Sequence, residues 1–242
     1  MIKVLSLFDG ISAGRLALER AGIQVSSYYK AEIDKFANKV SETHYMYDLN
    51  FGDVTKWREW DLDWSTIDLL IGGFPCQAFS FAGNQKGFED SRGALFFSYL
   101  EILNHIKSFN PNIKFLAENV KMKKEYLDII SSYLGVEPLF INSAVVSAQN
   151  RQRFYWCNWE VTPLPDYDVR VEYIIEDMPE GASEVRCGAY RGRYLVNGVR
   201  QDGKMLTAGL TTQRLEVRKD FKTNCLTTVQ KDNVLVFSDA NN

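Results

Sequence analysis

In GGFPCQAFS, residues 72–80, Cys76 stands between Pro75 and Gln77, directly after the apolar run IDLLIGGF. A structural cysteine suits the strand itself; one placed where the strand should end can meet a ligand as a thiolate nucleophile. Phe74 and Pro75 stiffen its approach, and SFAGNQKGFEDSRG, which follows, has the composition of a lid. LAENV, residues 116–120, puts Glu118 and Asn119 at another strand end, where a partly desolvated carboxyl is suited to giving up a proton. In QNRQR, residues 149–153, strand alternation places Gln149, Arg151 and Arg153 on one face. Two arginines turned inward need an anionic or carbonyl partner, because unpaired buried charge is costly.

FDGISAG, residues 8–14, combines two glycines with the start of a helix. Gly10 and Gly14 allow a sharp turn and a close backbone approach, and helix-start N–H groups favour a polar ligand. The spacing is not GxGxxG, so a nucleotide-like cofactor is suggested without being identified. Glu32 could take a ribose diol, and Asp53, in FGDVT, could accept from an adenine amino group. Each acid alone suits a cap or the surface equally well.

These residues need a scaffold that gathers strand ends, and the chain has the pattern of one. IKVLSLF, QVSSYYKAEI, DLLIGGF, IKFLAENV, EPLFINSAVV and RFYWCNW read as strands. Between them DGISAGRLALERAG, DKFANKVSETH, ALFFSYLEILNHIKSF and KKEYLDIISSYLG take a helical period. Such alternation predicts a doubly wound α/β fold with a mostly parallel sheet, whose ligands bind at the carboxyl ends of the strands. After Trp159 the rhythm breaks at Pro163 and Pro165. The expected organisation is a domain over 1–160 and a smaller irregular or β-rich module over 161–225, with 226–242 starting a return to the first domain.

The chain of 242 residues has an ordinary soluble composition and a formal charge of -3. That average conceals an asymmetry. Between Arg186 and Lys231 there are ten Lys or Arg against three acids, leaving 18 bases and 28 acids for the rest. An acidic body with a basic segment can hold a polyanion locally. Four scattered cysteines without metal spacing point to a reducing compartment and no metal site. With no signal peptide or membrane span in the pattern, a cytoplasmic protein is expected.

Taken together, FDGISAG, AEIDKFA, FGDVT, GGFPCQAFS, SRGALFFSYLEIL, AENV and QNRQRFYW occur in the order and spacing of the cytosine-5 DNA methyltransferases, which residues 1–160 resemble continuously. VSAQNRQRFYWCNW is similar to the animal de novo branch and its phage relatives. The resemblance implies a Rossmann-like domain binding S-adenosyl-L-methionine, with Phe8, Asp9, Gly10, Ser12 and Gly14 as the cradle and Glu32 on the ribose. Ile33 would pack on the adenine, Asp53 and Val54 would meet its edge and face, and Pro75 and Leu95 would line the same pocket. Cys76 would attack C6 of a cytosine flipped out of double-stranded DNA. Glu118 would hold the N3 and N4 edge, Arg153 would reach O2, and Arg151 would position the thiolate and Glu118. Gln77, Ser80 and Arg92 would contact DNA, and Arg191, Arg193, Arg214 and Arg218 would read it from a recognition module.

The family pattern also implies an RxLTPxExxRLxGFP-like stretch and a GNxV-like stretch, and VLVFSDANN stops before either. About 70–100 further residues are expected from typical domain sizes: the sequence is a fragment or a truncation, or a complementing C-terminal polypeptide supplies the rest, and the apolar surface left exposed would favour self-association. A non-catalytic DNA-binding subunit and a tRNA cytosine-5 methyltransferase are the alternatives. A dinucleotide oxidoreductase would leave Pro-Cys-Gln unexplained. Restriction–modification, phage self-protection and regulation are all open as settings.

Overall fold

The computed structural model describes residues 1–75, 94–193, 195–196, 199–200, 212–226 and 230–239. Cys76, Gln77, Ser80 and Arg92 therefore lie outside the described residues. The chain divides into two compact units, Met1–Ile141 with Arg153–Val161, and Asn142–Gln152 with Thr162–Asn242.

The first unit is built on β1 (Ile2–Leu7), β2 (Val25–Ala31), β3 (Leu49–Asn50), β4 (Leu69–Gly72), β5 (Lys114–Val120), β6 (Leu139–Asn142) and β7 (Gln152–Cys157). They form one sheet in the order β3-β2-β1-β4-β5-β7-β6. Strands β1 to β5 pair in parallel, whereas β7 runs antiparallel to β5. Helices α1 (Ala13–Arg20), α2 (Lys35–His44), α3 (Ala94–Phe109) and α4 (Lys124–Leu134) make the crossovers. Doubly wound α/β is thus the architecture, with one reversed strand near an edge.

The two sheet faces are packed unequally. In α3, Phe96, Tyr99, Ile102, Leu103 and Ile106 recur at helical spacing and are fully buried against Leu5, Leu7, Leu70 and Phe115. Each such side chain contributes about 1.5–3 kcal/mol of burial. The opposite face carries a small cluster of Val4, Tyr28 and Leu69, joined by Leu18 of α1. Polar groups fill the space that apolar ones leave there, including fully buried Lys30, Ser12 and Ser41.

Register brings the chemistry to one edge. Leu7 lies level with Ala31 and with Gly72, and Gly72 with Ala117. Phe8, Glu32, Gly73 and Glu118 are therefore the next residues along four adjacent parallel strands. The sequence pattern EPLFINSAVV predicts a longer strand than is found. It stops at Asn142, whose side chain accepts from the Ala144 N–H at 3.2 Å and turns Ser143–Val145 into a short 3-10 helix.

In the second unit β8 (Ala182–Arg193) lies between β11 (Thr212–Val217) and β12 (Val234–Asp239), both antiparallel to it. β9 (Leu195–Val196) and β10 (Val199–Arg200) form a separate antiparallel pair. Val185, Cys187 and Ala189 are buried on one face of β8. Residues 142–152 are tied into this unit. Lys222 donates to the carbonyls of Val169 at 2.6 Å and Ala144 at 2.9 Å, and Thr223 exchanges backbone bonds with Ala148 and Asn150. Among the described residues no helix is long and apolar enough to cross a membrane, and no cluster suits a metal ion.

Candidate active site

The turn after β1 departs from ordinary backbone geometry. Phe8, Gly10 and Ser12 have φ of 56°, 61° and 62°, so two non-glycine residues occupy the left-handed region. Such residues cost about 1–3 kcal/mol each and persist only where surroundings hold them. Here Asp9 does the holding: its carboxylate accepts from Ser6 at 2.6 Å, from the Tyr28 hydroxyl at 2.7 Å, and from Ser12. Burial, reinforced by the Asp9 charge, drives the Tyr28 hydroxyl far above its ordinary range, so it remains a donor.

After β2, Glu32 accepts from the Gly10 N–H at 2.8 Å and from the Asp34 N–H at 2.7 Å. Asn50 and Asn38 brace the same residue, each donating to its carbonyl. Asp53 caps the following 3-10 turn by accepting from the Thr55 N–H at 2.9 Å and hydroxyl at 2.8 Å. Those bonds hold its exposed carboxyl below the usual range.

Phe8, Glu32, Ile33, Asp53, Val54, Pro75 and Leu95, together with Ala31 and Gly52, line a cavity of about 170 Å³. Asp9, Gly10, Ser12 and Gly14 stand behind it. They shape the backbone: Ser12 is fully buried, and a Cβ on Gly14 would collide with Ile71 Cδ1. The cavity offers two carboxylates for hydroxyl and amino donors and apolar side chains for a flat ring. That combination of acceptors and apolar walls fits the adenosine half of a nucleoside cofactor. A roomier cavity of about 590 Å³, lined by Ile2, Leu69 and Trp159 with Asp68 and Lys114, opens at the amino-terminal edge of the sheet, away from these groups.

Antiparallel β7 completes the other half of the edge. Glu118 lies opposite Tyr155 and Val120 opposite Arg153, so Glu118 and Arg153 share a face. Arg153 Nε meets Glu118 Oε1 at 2.6 Å. A Cβ on Gly73 would stand 3.0 Å from Glu118 Oε2, so the strand leading towards Cys76 passes directly over this carboxylate. Buried Asn119 donates to the Phe74 carbonyl at 3.1 Å and accepts from the Val120 N–H at 2.8 Å. It therefore ties β5 to the segment two residues before Cys76. Sequence reasoning gave Asn119 no role; its place beside Glu118, facing the opposite side of β5, was the available signal.

Arg151 belongs to the second unit, where its Nη1 lies 3.4 Å from Cys225 Sγ and its N–H bonds to Asn142 Oδ1. Arg191 and Arg214 are directly opposed on β8 and β11 and exposed, with Glu216 at 3.9 Å from Arg191. The backbone of Arg193 is opposed to Thr212. Arg218 is engaged inside its own unit, by Asp220 and by Asn224 Oδ1 at 3.0 Å. That pairing holds the Asp220 carboxyl below its usual range.

Comparison with known proteins agrees with this geometry. An orphan methyltransferase of Bacillus phage SPR, M.SPRI, is 41% identical over 167 residues, covering 64% of this chain and 37% of the relative. The type II methyltransferase M.HhaI of Haemophilus parahaemolyticus is 35% identical over 168 residues, covering 64% and 48%. The chain thus spans roughly two fifths of the length of the curated relatives that it matches. Among solved structures, the Entamoeba histolytica methyltransferase EhMeth superposes with a TM-score of 0.55 at 18% identity, over 76% of this chain and 63% of that one, a likeness of fold. Residues 2–159 match the family described as C-5 cytosine-specific DNA methylase, and the chain belongs to it.

Proposed function

We propose that the protein methylates C5 of a cytosine flipped out of double-stranded DNA, through a covalent bond from Cys76 to C6, with S-adenosyl-L-methionine as the donor. The observation that carries this reading is the shared edge. The cavity and Glu118 stand at the ends of adjacent parallel strands, Arg153 reaches Glu118 from antiparallel β7, and Pro75, one residue before Cys76, is in the cavity wall. Bound in that cavity, the cofactor supplies an electrophilic methyl group.

The chain's own residues do the rest. Glu32 accepts from the ribose hydroxyls, Asp53 from the adenine amino group, and Ile33 and Val54 sandwich the ring. The Cys76 thiolate adds to C6, which breaks the aromaticity of the ring and makes C5 nucleophilic. Glu118 binds the N3 and N4 edge and Arg153 the O2 carbonyl, so the charge that develops on the ring meets fixed partners. Once C5 carries the methyl group, a base removes the C5 proton, the C5–C6 double bond re-forms and Cys76 leaves. Arg151, Gln77, Ser80 and Arg92 order the thiolate and the strand around it. The first unit, Met1–Ile141 with Arg153–Val161, serves as the catalytic domain. The second unit, Thr162–Asn242 with Asn142–Gln152, serves as the recognition module, with Arg191, Arg193 and Arg214 towards the nucleic acid.

The test is covalent trapping on duplex DNA that carries 5-fluorocytosine, in the presence of S-adenosyl-L-methionine. Fluorine does not leave as a proton does, so turnover stops at the enzyme-linked stage. A denaturation-resistant adduct that Cys76→Ser abolishes supports the reading. An adduct formed only on fluorinated tRNA changes the substrate. Adducts that require an added C-terminal segment of a relative identify a protein that works with a complementing chain.

A further inference from the structure

The Asp9 network continues inward to a lysine that the reaction does not use. Lys30, on β2, is fully buried and donates from Nζ to Ser41 Oγ at 2.6 Å. Ser41, on α2, is 2.6 Å from Ser12 Oγ, and Ser12 donates to Asp9. A hydroxyl has one proton to give. Ser12 has spent its proton on Asp9, so Ser41 must donate to Ser12, and Lys30 to Ser41. The directions are all forced: a buried lysine is joined to a half-buried carboxylate through two hydroxyls. Ser6 and Tyr28 donate to the same carboxylate from the side. Nearby Asp48, 3.5 Å from Arg15, also lies within electrostatic reach of Lys30.

This arrangement offsets the cost of burying the ammonium, because an isolated charge there would be expelled or neutralised. It also has a consequence at the cavity. Asp9 and Ser12 bracket Gly10, whose N–H holds Glu32. The chain of donors thus ends on Asp9, the neighbour in sequence of the Gly10 N–H that holds the cavity's own carboxylate, Glu32. Ser12 immediately precedes α1, yet its side chain caps no helical N–H and is committed inward. Buried polar networks of this kind specify one geometry, and a gap in one loosens it.

We propose that Lys30 is a positioning residue for the cofactor: through Ser41, Ser12 and Asp9 it sets the Phe8–Gly14 turn and thereby the Gly10–Glu32 hydrogen bond. The proposal rests on the reading of the cavity as the S-adenosyl-L-methionine site, and two separate readouts keep the two apart. The first needs no cofactor. The Gly10 amide, bonded to a carboxylate, should resonate downfield in a ¹H–¹⁵N spectrum. Ser41→Ala, which removes only the bridging hydroxyl, should move it upfield and speed hydrogen exchange over residues 8–14 while leaving α3 and β5 protected. An unmoved Gly10 resonance overturns the proposal whatever the cavity binds.

The second readout is calorimetric titration with S-adenosylhomocysteine. Ser41→Ala and Lys30→Met should each weaken binding about tenfold, since removing a buried partner is worth on the order of one power of ten. Wild-type affinity in both variants overturns the proposal. A wild-type chain that binds no S-adenosylhomocysteine, yet shows the Gly10 response, sinks the cofactor reading and leaves the relay standing. If Lys30→Met does not fold, Ser41→Ala carries both measurements. A merely structural lysine would lower the melting midpoint without moving the Gly10 resonance.

Discussion

Glu118 and Arg153 depend on each other across two strands of opposite direction, and so do their failures. With side chains about a quarter and a seventh exposed, the pair is desolvated enough for either partner alone to be costly. Arg153→Met should lower unfolding stability in urea by about 1–3 kcal/mol. The same change should slow adduct formation on the order of a hundredfold, as loss of one donor to a developing charge does. A trapping rate equal to wild type would remove Arg153 from the site. Asn119→Ala separates position from chemistry: it leaves the Phe74 carbonyl without its donor, costs about 1–3 kcal/mol, and should slow trapping without altering S-adenosylhomocysteine affinity. At Asp220 the sign of a pH effect is fixed. Its carboxyl is held low in the fold by Arg218. The stability it contributes is therefore complete above the ordinary carboxylate range and is lost as pH falls through the lowered value. Arg218→Ala should return the Asp220 titration, followed by carboxyl ¹³C shifts, towards the ordinary range.

Elements decide how close these residues come. Helix α1 begins against the sheet because position 14 lacks a side chain; a Cβ there would strike Ile71 Cδ1 and stand 3.3 Å from the Tyr28 hydroxyl. Gly14→Val should cost about 1–3 kcal/mol through overpacking, read from the denaturation midpoint, and should weaken S-adenosylhomocysteine binding as the turn shifts. A neutral substitution would mean that α1 is not seated as described. Most elements were legible from hydrophobic period. VLSL of β1 is buried on both faces and reads as a mostly apolar run, and ALFFSYLEILNHIKSF repeats its apolar residues every third or fourth position. The direction of β7 was not. Period-two alternation is the same for parallel and antiparallel strands, so only pairing reveals that Arg153 lies diagonally across from Glu118.

For the whole molecule the division of charge matters more than the sum. If the recognition module holds DNA, Arg191→Ala and Arg214→Ala should each flatten the slope of log affinity against log salt by about one unit, as expected when one phosphate is no longer neutralised. Arg218→Ala should change it less, because Asp220 already occupies that guanidinium. Equal effects at the three positions would mean that the internal pairing opens on binding. Residues 142–152 also assort at this scale. QNRQR reads as one motif, yet its Arg151 end is tied into the second unit through Thr223 and Lys222, while Arg153 belongs to the first.

The linear order of residues was enough to determine the doubly wound fold, the family and the clustering of Phe8, Glu32, Asp53 and Pro75 at strand ends. The fold and the clustering follow from local period and from the rule that parallel strands deliver their carboxyl ends to one edge; the family follows from the motifs FDGISAG, GGFPCQAFS, AENV and QNRQRFYW in their order. Tertiary structure alone decided which groups meet across long separations: Arg153 with Glu118, Asn119 with the Phe74 carbonyl, and Lys30 with Asp9 through two serines. Lys30 makes the physical reason plain. In the sequence it is a charged residue in an aromatic strand, indistinguishable from one that faces water. Only the seating of α1 and α2 on that face of the sheet closes solvent off and leaves a hydroxyl as the group its ammonium meets.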